Sequence, residues 1–213
     1  MHLPKVILPP ALALLLLIAI IYGMGSCVAV LPQPYRVRGP WVVETVPERE
    51  VVVETASETP LTISLFSWGA RFSEADRELG TLKYDRVSYI LRDAYGTPIW
   101  KMTCHDTYVE VADPRGNELF RIVGRPDGAD LVDAHGAPVA FITVSDGCAS
   151  LTDPDGSLLA RTAENGTDWG LVDADGEILM RLSDRSISPA GIAAAGIPMF
   201  DTLERAVLLI MVK

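Results

Sequence analysis

The chain has 213 residues, a length that suits one domain of ordinary size plus an anchor. Residues 1–26 hold Lys5 as their only charged residue, so the rest of the chain carries 17 basic and 28 acidic residues, a net of −11. A domain this acidic repels phosphate, which argues against nucleic-acid binding and against electrostatic attraction to anionic lipid headgroups.

The first predicted element is an anchor over residues 1–27. Val6 to Gly25 is a run of 20 uncharged residues, long enough to cross a hydrocarbon core of ~30 Å as a helix. Pro9 and Pro10 interrupt its first turn, and the uninterrupted part also fits the apolar region of a secretory signal. Met24-Gly25-Ser26-Cys27 resembles a bacterial lipobox, in which the cysteine becomes the lipidated N-terminus. Two readings therefore stand: a lipoprotein signal with Cys27 as the lipidation site, or an uncleaved single-pass membrane helix. Both place the chain on a membrane. Lys5 before the run and Arg36 and Arg38 after it nearly balance, so flanking charge does not fix the orientation. The export character of the segment favours an extracytoplasmic domain, with the cytoplasmic face as the alternative. Export would permit a disulfide between Cys104 and Cys148; the other reading is two buried apolar residues.

Residues 28–57 are rich in proline (Pro32, Pro34, Pro40, Pro47), and Trp41-Val-Val and Val51-Val-Val-Glu read as extended segments. Together they predict a stiff tether of polyproline II or edge-strand character. The folded domain is expected over residues 58–213. Leu61 to Trp68 alternates as a strand does. Ser73-Glu-Ala-Asp76, followed by Gly80, predicts a single helical turn.

The strongest signal is an internal repeat of 20 residues. Asp recurs at Asp93, Asp113, Asp133, Asp153 and Asp173, and Gly at Gly96, Gly116, Gly136, Gly156 and Gly176. Asp-x-x-Gly is turn chemistry: the carboxylate accepts backbone N–H groups and the glycine supplies positive φ, which predicts hairpin loops with a bulge. The spacing sets Leu91 opposite Ile99, with Val111–Leu119, Leu131–Val139, Leu151–Leu159 and Leu171–Leu179 equivalent. Trp100, Phe120, Ala140, Ala160 and Met180 then line the other face, so the sheet is covered at least partly on both sides. Five hairpins give ten strands and residues 61–84 supply two more. About twelve antiparallel strands are expected to close into a barrel. Gly191-Ile-Ala-Ala-Ala-Gly196 reads as a small-residue segment packed closely on its neighbours. Asp201-Thr-Leu-Glu204 has capping-box spacing and leads into Ala206–Val212, apolar all round, which predicts a short buried helix to fill the barrel; the β-branched Val207, Ile210 and Val212 leave a final strand as the alternative.

With its Leu91-Arg-Asp-Ala-Tyr-Gly turn and apolar C-terminal segment, residues 58–213 resemble the tubby-like superfamily, which includes LURP-one-related proteins and phospholipid scramblases. The resemblance implies a roughly twelve-stranded barrel around a hydrophobic C-terminal helix, and lipid or small-ligand binding as one function. The acidic surface departs from that pattern.

Little else in the sequence suggests chemistry. Cys104-His105-Asp106 holds three catalytic residue types, but neighbours along one strand or loop cannot form a hydrogen-bonded triad with one another. Asp153-Pro-Asp155-Gly and Asp173-Ala-Asp175-Gly look like fragments of calcium loops without the distant Glu. Asn165-Gly166-Thr167 fits a glycosylation acceptor and is equally a turn. No catalytic, cofactor-binding or metal-ligating set is read. The expectation is a non-enzymatic scaffold or accessory subunit that meets other proteins of a membrane complex, a basic partner above all; the alternative is a ligand-binding module at the membrane surface.

Overall fold

A computed structural model describes residues 47–55, 59–165 and 168–212. The anchor, Cys27 and the tether up to residue 46 lie outside the described residues. Among these, fourteen strands follow one another: β1 (Arg49–Thr55), β2 (Leu61–Phe66), β3 (Gly69–Glu74), β4 (Arg77–Tyr84), β5 (Tyr89–Asp93), β6 (Pro98–Cys104) and β7 (Tyr108–Ala112), then β8 (Glu118–Arg125), β9 (Gly128–Asp133), β10 (Pro138–Ser145), β11 (Cys148–Thr152), β12 (Leu158–Asn165), β13 (Asp168–Asp173) and β14 (Ile178–Leu182). Each pairs antiparallel with the next, and β1 pairs with β14, so the meander closes into a barrel with no free edge. Two helices follow, α1 (Pro189–Ala194) and α2 (Thr202–Met211).

The two strands beyond the expected twelve have specific sources. Arg49–Thr55, read from the sequence as the end of the tether, is a barrel strand that pairs on both sides, with Val51 and Val53 buried. Ser73 to Gly80 is not a helical turn but a hairpin. Glu74 pairs with Arg77 across a two-residue loop in which Ala75 takes φ of 47°. The Arg77 guanidinium donates to the Glu74 carboxylate at 3.0 Å across that loop. The three-residue offset of a capping box is also the offset between the two ends of such a loop, so spacing alone does not separate them.

The five repeat turns are alike. In each, the Gly N–H donates to the Asp carbonyl, and the Asp N–H donates to the carbonyl one residue beyond the Gly, at 2.8 to 3.2 Å. The five glycines have φ between 81° and 88°. The register beyond the turn differs from the sequence reading. Arg92 pairs with Pro98 and Leu91 pairs with Trp100, which leaves Ile99 as the extra residue of a bulge. The same step sets Val111 opposite Phe120, Leu131 opposite Ala140, Leu151 opposite Ala160 and Leu171 opposite Met180. These ten side chains form the inner wall, none more than 7% exposed. Leu119 and Leu179, predicted to be paired inside, are instead 41% and 38% exposed.

The C-terminal segment fills the interior. Ser188 caps α1: its Oγ accepts the Gly191 N–H at 2.9 Å and donates to the Val212 carbonyl at 2.6 Å. That pair ties the start of one helix to the end of the other. Asp201 and Glu204 complete a reciprocal capping box on α2. Between the helices, Phe200 packs against Trp100 and Phe120 with ring centroids 5.6 and 5.0 Å apart. The helices thus run down and back inside the barrel. α1 lies on β10 to β13, where inward positions shrink to Ala140, Ala149 and Ala160. Trp100 and Phe120, on β6 and β8, are buried against Phe200. Gly191 lets the helices touch: a Cβ there would stand 2.3 Å from the Leu209 carbonyl oxygen.

Two glycine substitutions separate turn strain from core packing. Gly156→Val adds a side chain in open space, so only the positive φ opposes it, at about 1–2 kcal/mol. Gly191→Ala gains ~1 kcal/mol of helix propensity, yet its Cβ collides with backbone. Urea unfolding is expected to show the alanine as the costlier change, by an overpacking penalty of ~3 kcal/mol. A Gly191→Ala protein as stable as the parent would mean the helices do not pack as described.

Candidate functional site

The interior is occupied by the two helices, and one part of the outer wall differs from the rest. On β2 to β5 the outward positions hold Phe66, Arg71, Thr81, Lys83 and Arg92, and register sets Arg71, Thr81 and Arg92 in one row. Phe66 and Trp68 stack at 4.7 Å with rings 12° apart. The Arg71 guanidinium lies over Phe66 at 5.5 Å and the Lys83 ammonium over Trp68 at 5.2 Å, both within cation–π range. Glu78 lies 3.4 Å from Arg71. The Arg92 guanidinium donates to the Gly96 carbonyl at 2.9 Å and so lies along the first repeat turn.

Trp68, Arg71, Glu78, Thr81, Lys83 and Arg92, with Tyr84 and Tyr95, border a groove of about 630 Å3, while Phe66 lies buried beneath Arg71 and Trp68. Tyr95 stands at its rim, 94% exposed. A Tyr this exposed gains nothing from the fold, so its apolar ring is free for a partner. The groove coincides with the unit that departs from the repeat. Where the other units have Ala112, Val132, Thr152 and Val172, the first has Arg92; where they have Arg115, His135, Asp155 and Asp175, it has Tyr95. That departure was readable in the sequence. The assembly of Trp68 and Lys83 beside it, from other strands, was not.

Charge follows the same division. Residues 61–104 carry six basic and five acidic residues, whereas residues 105–213 carry eight basic and eighteen acidic. The acidity noted in the sequence therefore lies on β7 to β14 and the loops between them, away from the groove.

The other residues marked in the sequence are structural. The Oδ1 atoms of Asp93, Asp113, Asp133, Asp153 and Asp173 each accept two backbone N–H groups within their own turn, at 2.8 to 3.0 Å. The Asp153 and Asp173 carboxylates thus face backbone amides, and no cluster of three metal-ligating side chains occurs among the described residues. Cys104 and Cys148 are not joined: they sit at the ends of β6 and β11, five strands apart, as free thiols. Although Cys104 is exposed as a residue, desolvation raises its thiol above the usual range, which keeps it a poor nucleophile. His105 stacks on Tyr108 at 4.3 Å and approaches Glu110 at 3.7 Å. Burial, with smaller contributions from Cys104 and Tyr84, pushes Tyr89 up to about 12, so it stays protonated. No helix among the described residues is long and apolar enough to cross a membrane.

Compared with family models, curated proteins and solved structures, the chain matches none.

The turn carboxylates make stability pH-dependent in a stated direction. The Asn117 side chain and turn N–H groups lower Asp113, and the Ala137 and His135 N–H groups lower Asp133. A carboxylate held low in the fold stabilises it above the ordinary Asp value of about 3.9 and loses that contribution as pH falls toward the lowered value. The thermal midpoint is expected to drop between pH ~5 and ~3, and to drop less in the Asp113→Ala, Asp133→Ala double variant. An identical pH profile for the two proteins would contradict this role.

Proposed function

We propose that this chain is a membrane-anchored, non-enzymatic accessory subunit that binds a partner protein through the groove on β3 to β5. The observation that carries the reading is the occupied interior: the barrel's own α1 and α2 fill the space that a ligand-carrying barrel would keep for cargo. Binding by a polypeptide surface then falls to the outer wall. There the groove gathers Trp68, Tyr84, Tyr95, Arg71 and Arg92, the residue types that dominate interface hot spots. The apolar run Val6–Gly25 supports the anchor, and Cys27 or the uncleaved helix would hold the barrel at the membrane surface, on the extracytoplasmic side in our reading. The tubby-like reading expects roughly twelve strands around one C-terminal helix, whereas fourteen strands here enclose two helices.

The test is recovery of partner from membranes in mild detergent, comparing the parent chain with Tyr95→Ala and Arg92→Glu. Tyr95 is too exposed for its loss to shift stability by more than ~0.5 kcal/mol. Truncating an interface hot spot costs ~2 kcal/mol or more, so partner recovery is expected to fall at least about tenfold at limiting concentration. A lone particle in mild detergent, or a complex indifferent to both changes, would overturn the proposal.

A further inference from the structure

A second concavity lies where the seam between β1 and β14 meets the helices. It measures about 260 Å3 and is distinct from the groove in place and in character. Its floor is apolar and deep: Val53, Leu171, Ala195 and Ala206 are each at most 2% exposed. Its mouth is polar, with Thr202 and Arg205. The Arg205 guanidinium donates to the Phe200 and Pro198 carbonyls at 2.8 and 3.2 Å, which fixes its position at the opening. It pairs with no carboxylate among the described residues. The neighbouring acids are engaged elsewhere, since Asp201 and Glu204 face backbone N–H groups in the capping box.

An apolar floor of this kind stays dry and takes an apolar guest. At ~30 Å3 for each water-sized unit, the cavity admits roughly eight or nine of them, a volume for one short chain and not for the two tails of a phospholipid. A fixed guanidinium at the mouth selects the head, because a carboxylate can accept its remaining N–H donors in a charge-assisted bond. We propose that this cavity is a binding site for a single medium-length aliphatic chain ending in a carboxylate, its tail against Val53, Leu171 and Ala206 and its head on Arg205. Such a ligand would bridge β1, β14 and α2 at the one place where the first and last strands join.

The probe is octanoic acid carrying a photoreactive diazirine in its tail, applied to the full chain in membranes. Adducts are expected on peptides holding Val53, Leu171 or Ala206, and unlabelled octanoate should suppress them about tenfold better than octanol, the worth of one charge-assisted bond. Ala206→Leu fills the cavity and should abolish those adducts while the thermal midpoint holds; if that variant fails to fold, Ala195→Val serves the same purpose. Arg205→Gln should erase the preference for octanoate over octanol, and Arg205→Lys should keep part of it. Adducts scattered over the outer wall, persistence of the floor adducts in the filled cavity, or equal competition by octanol and octanoate would overturn the assignment.

Discussion

Everything in this structure depends on wrapping one sheet around the chain's own C-terminal helices. A fourteen-stranded barrel encloses more space than its wall side chains can fill, and an unfilled interior would forfeit dispersion contacts along its whole lining. The α1–α2 pair supplies the missing atoms. The fit is made in two ways. On β10 to β12 three inward positions are alanine, Ala140, Ala149 and Ala160, among larger residues such as Ile142 and Leu151, and α1 answers with Gly191, Ala193 and Ala194. Further round the wall, on β6 and β8, Trp100 and Phe120 thicken it and close on Phe200. Overlong side chains on the first side or shortened ones on the second would each break the match, since interiors tolerate neither strain nor voids.

Closure has a second consequence. β1 pairs locally with β2, but it closes the barrel by meeting β14, which lies some 125 residues further along the chain. The Arg49–Asp184 ion pair and the Ser183 hydroxyl, which accepts the Val52 N–H, fasten this joint near the end where the chain enters. The remaining pairings are local hairpins, each stabilised by its own turn. Stability of the whole therefore rests on many local contacts and one distant seam, and the apolar cavity with its guanidinium mouth lies at that seam.

The repeat turns were fully legible in the sequence, because Asp and Gly each have a specific backbone task there. The bulge was not. Ile99 and Trp100 are both apolar, as are Leu159 and Ala160, so alternation carries no parity signal at the step where the strand changes face. β1 escaped notice because Pro47 before it and Pro60 after it made Val51-Val-Val look like tether. α1 is six residues of glycine, alanine, proline and isoleucine, a composition with little helix signal until the walls around it are known. The groove was legible only in part: Arg92 and Tyr95 break the repeat visibly, whereas Trp68 and Lys83 join them through sheet register alone. With the helices filling most of the interior, these outward residues and the small seam cavity are where, on the reading proposed above, the barrel would meet other molecules.

Amide hydrogen exchange tests the central claim most directly. If the helices are the core around which the barrel closes, the backbone amides of Leu208–Val212 exchange only through global unfolding, with the same free energy as the slowest amides of the strands. Exchange of α2 at a markedly lower free energy, with the strands still protected, would show a barrel that stands without its filling and would contradict the account.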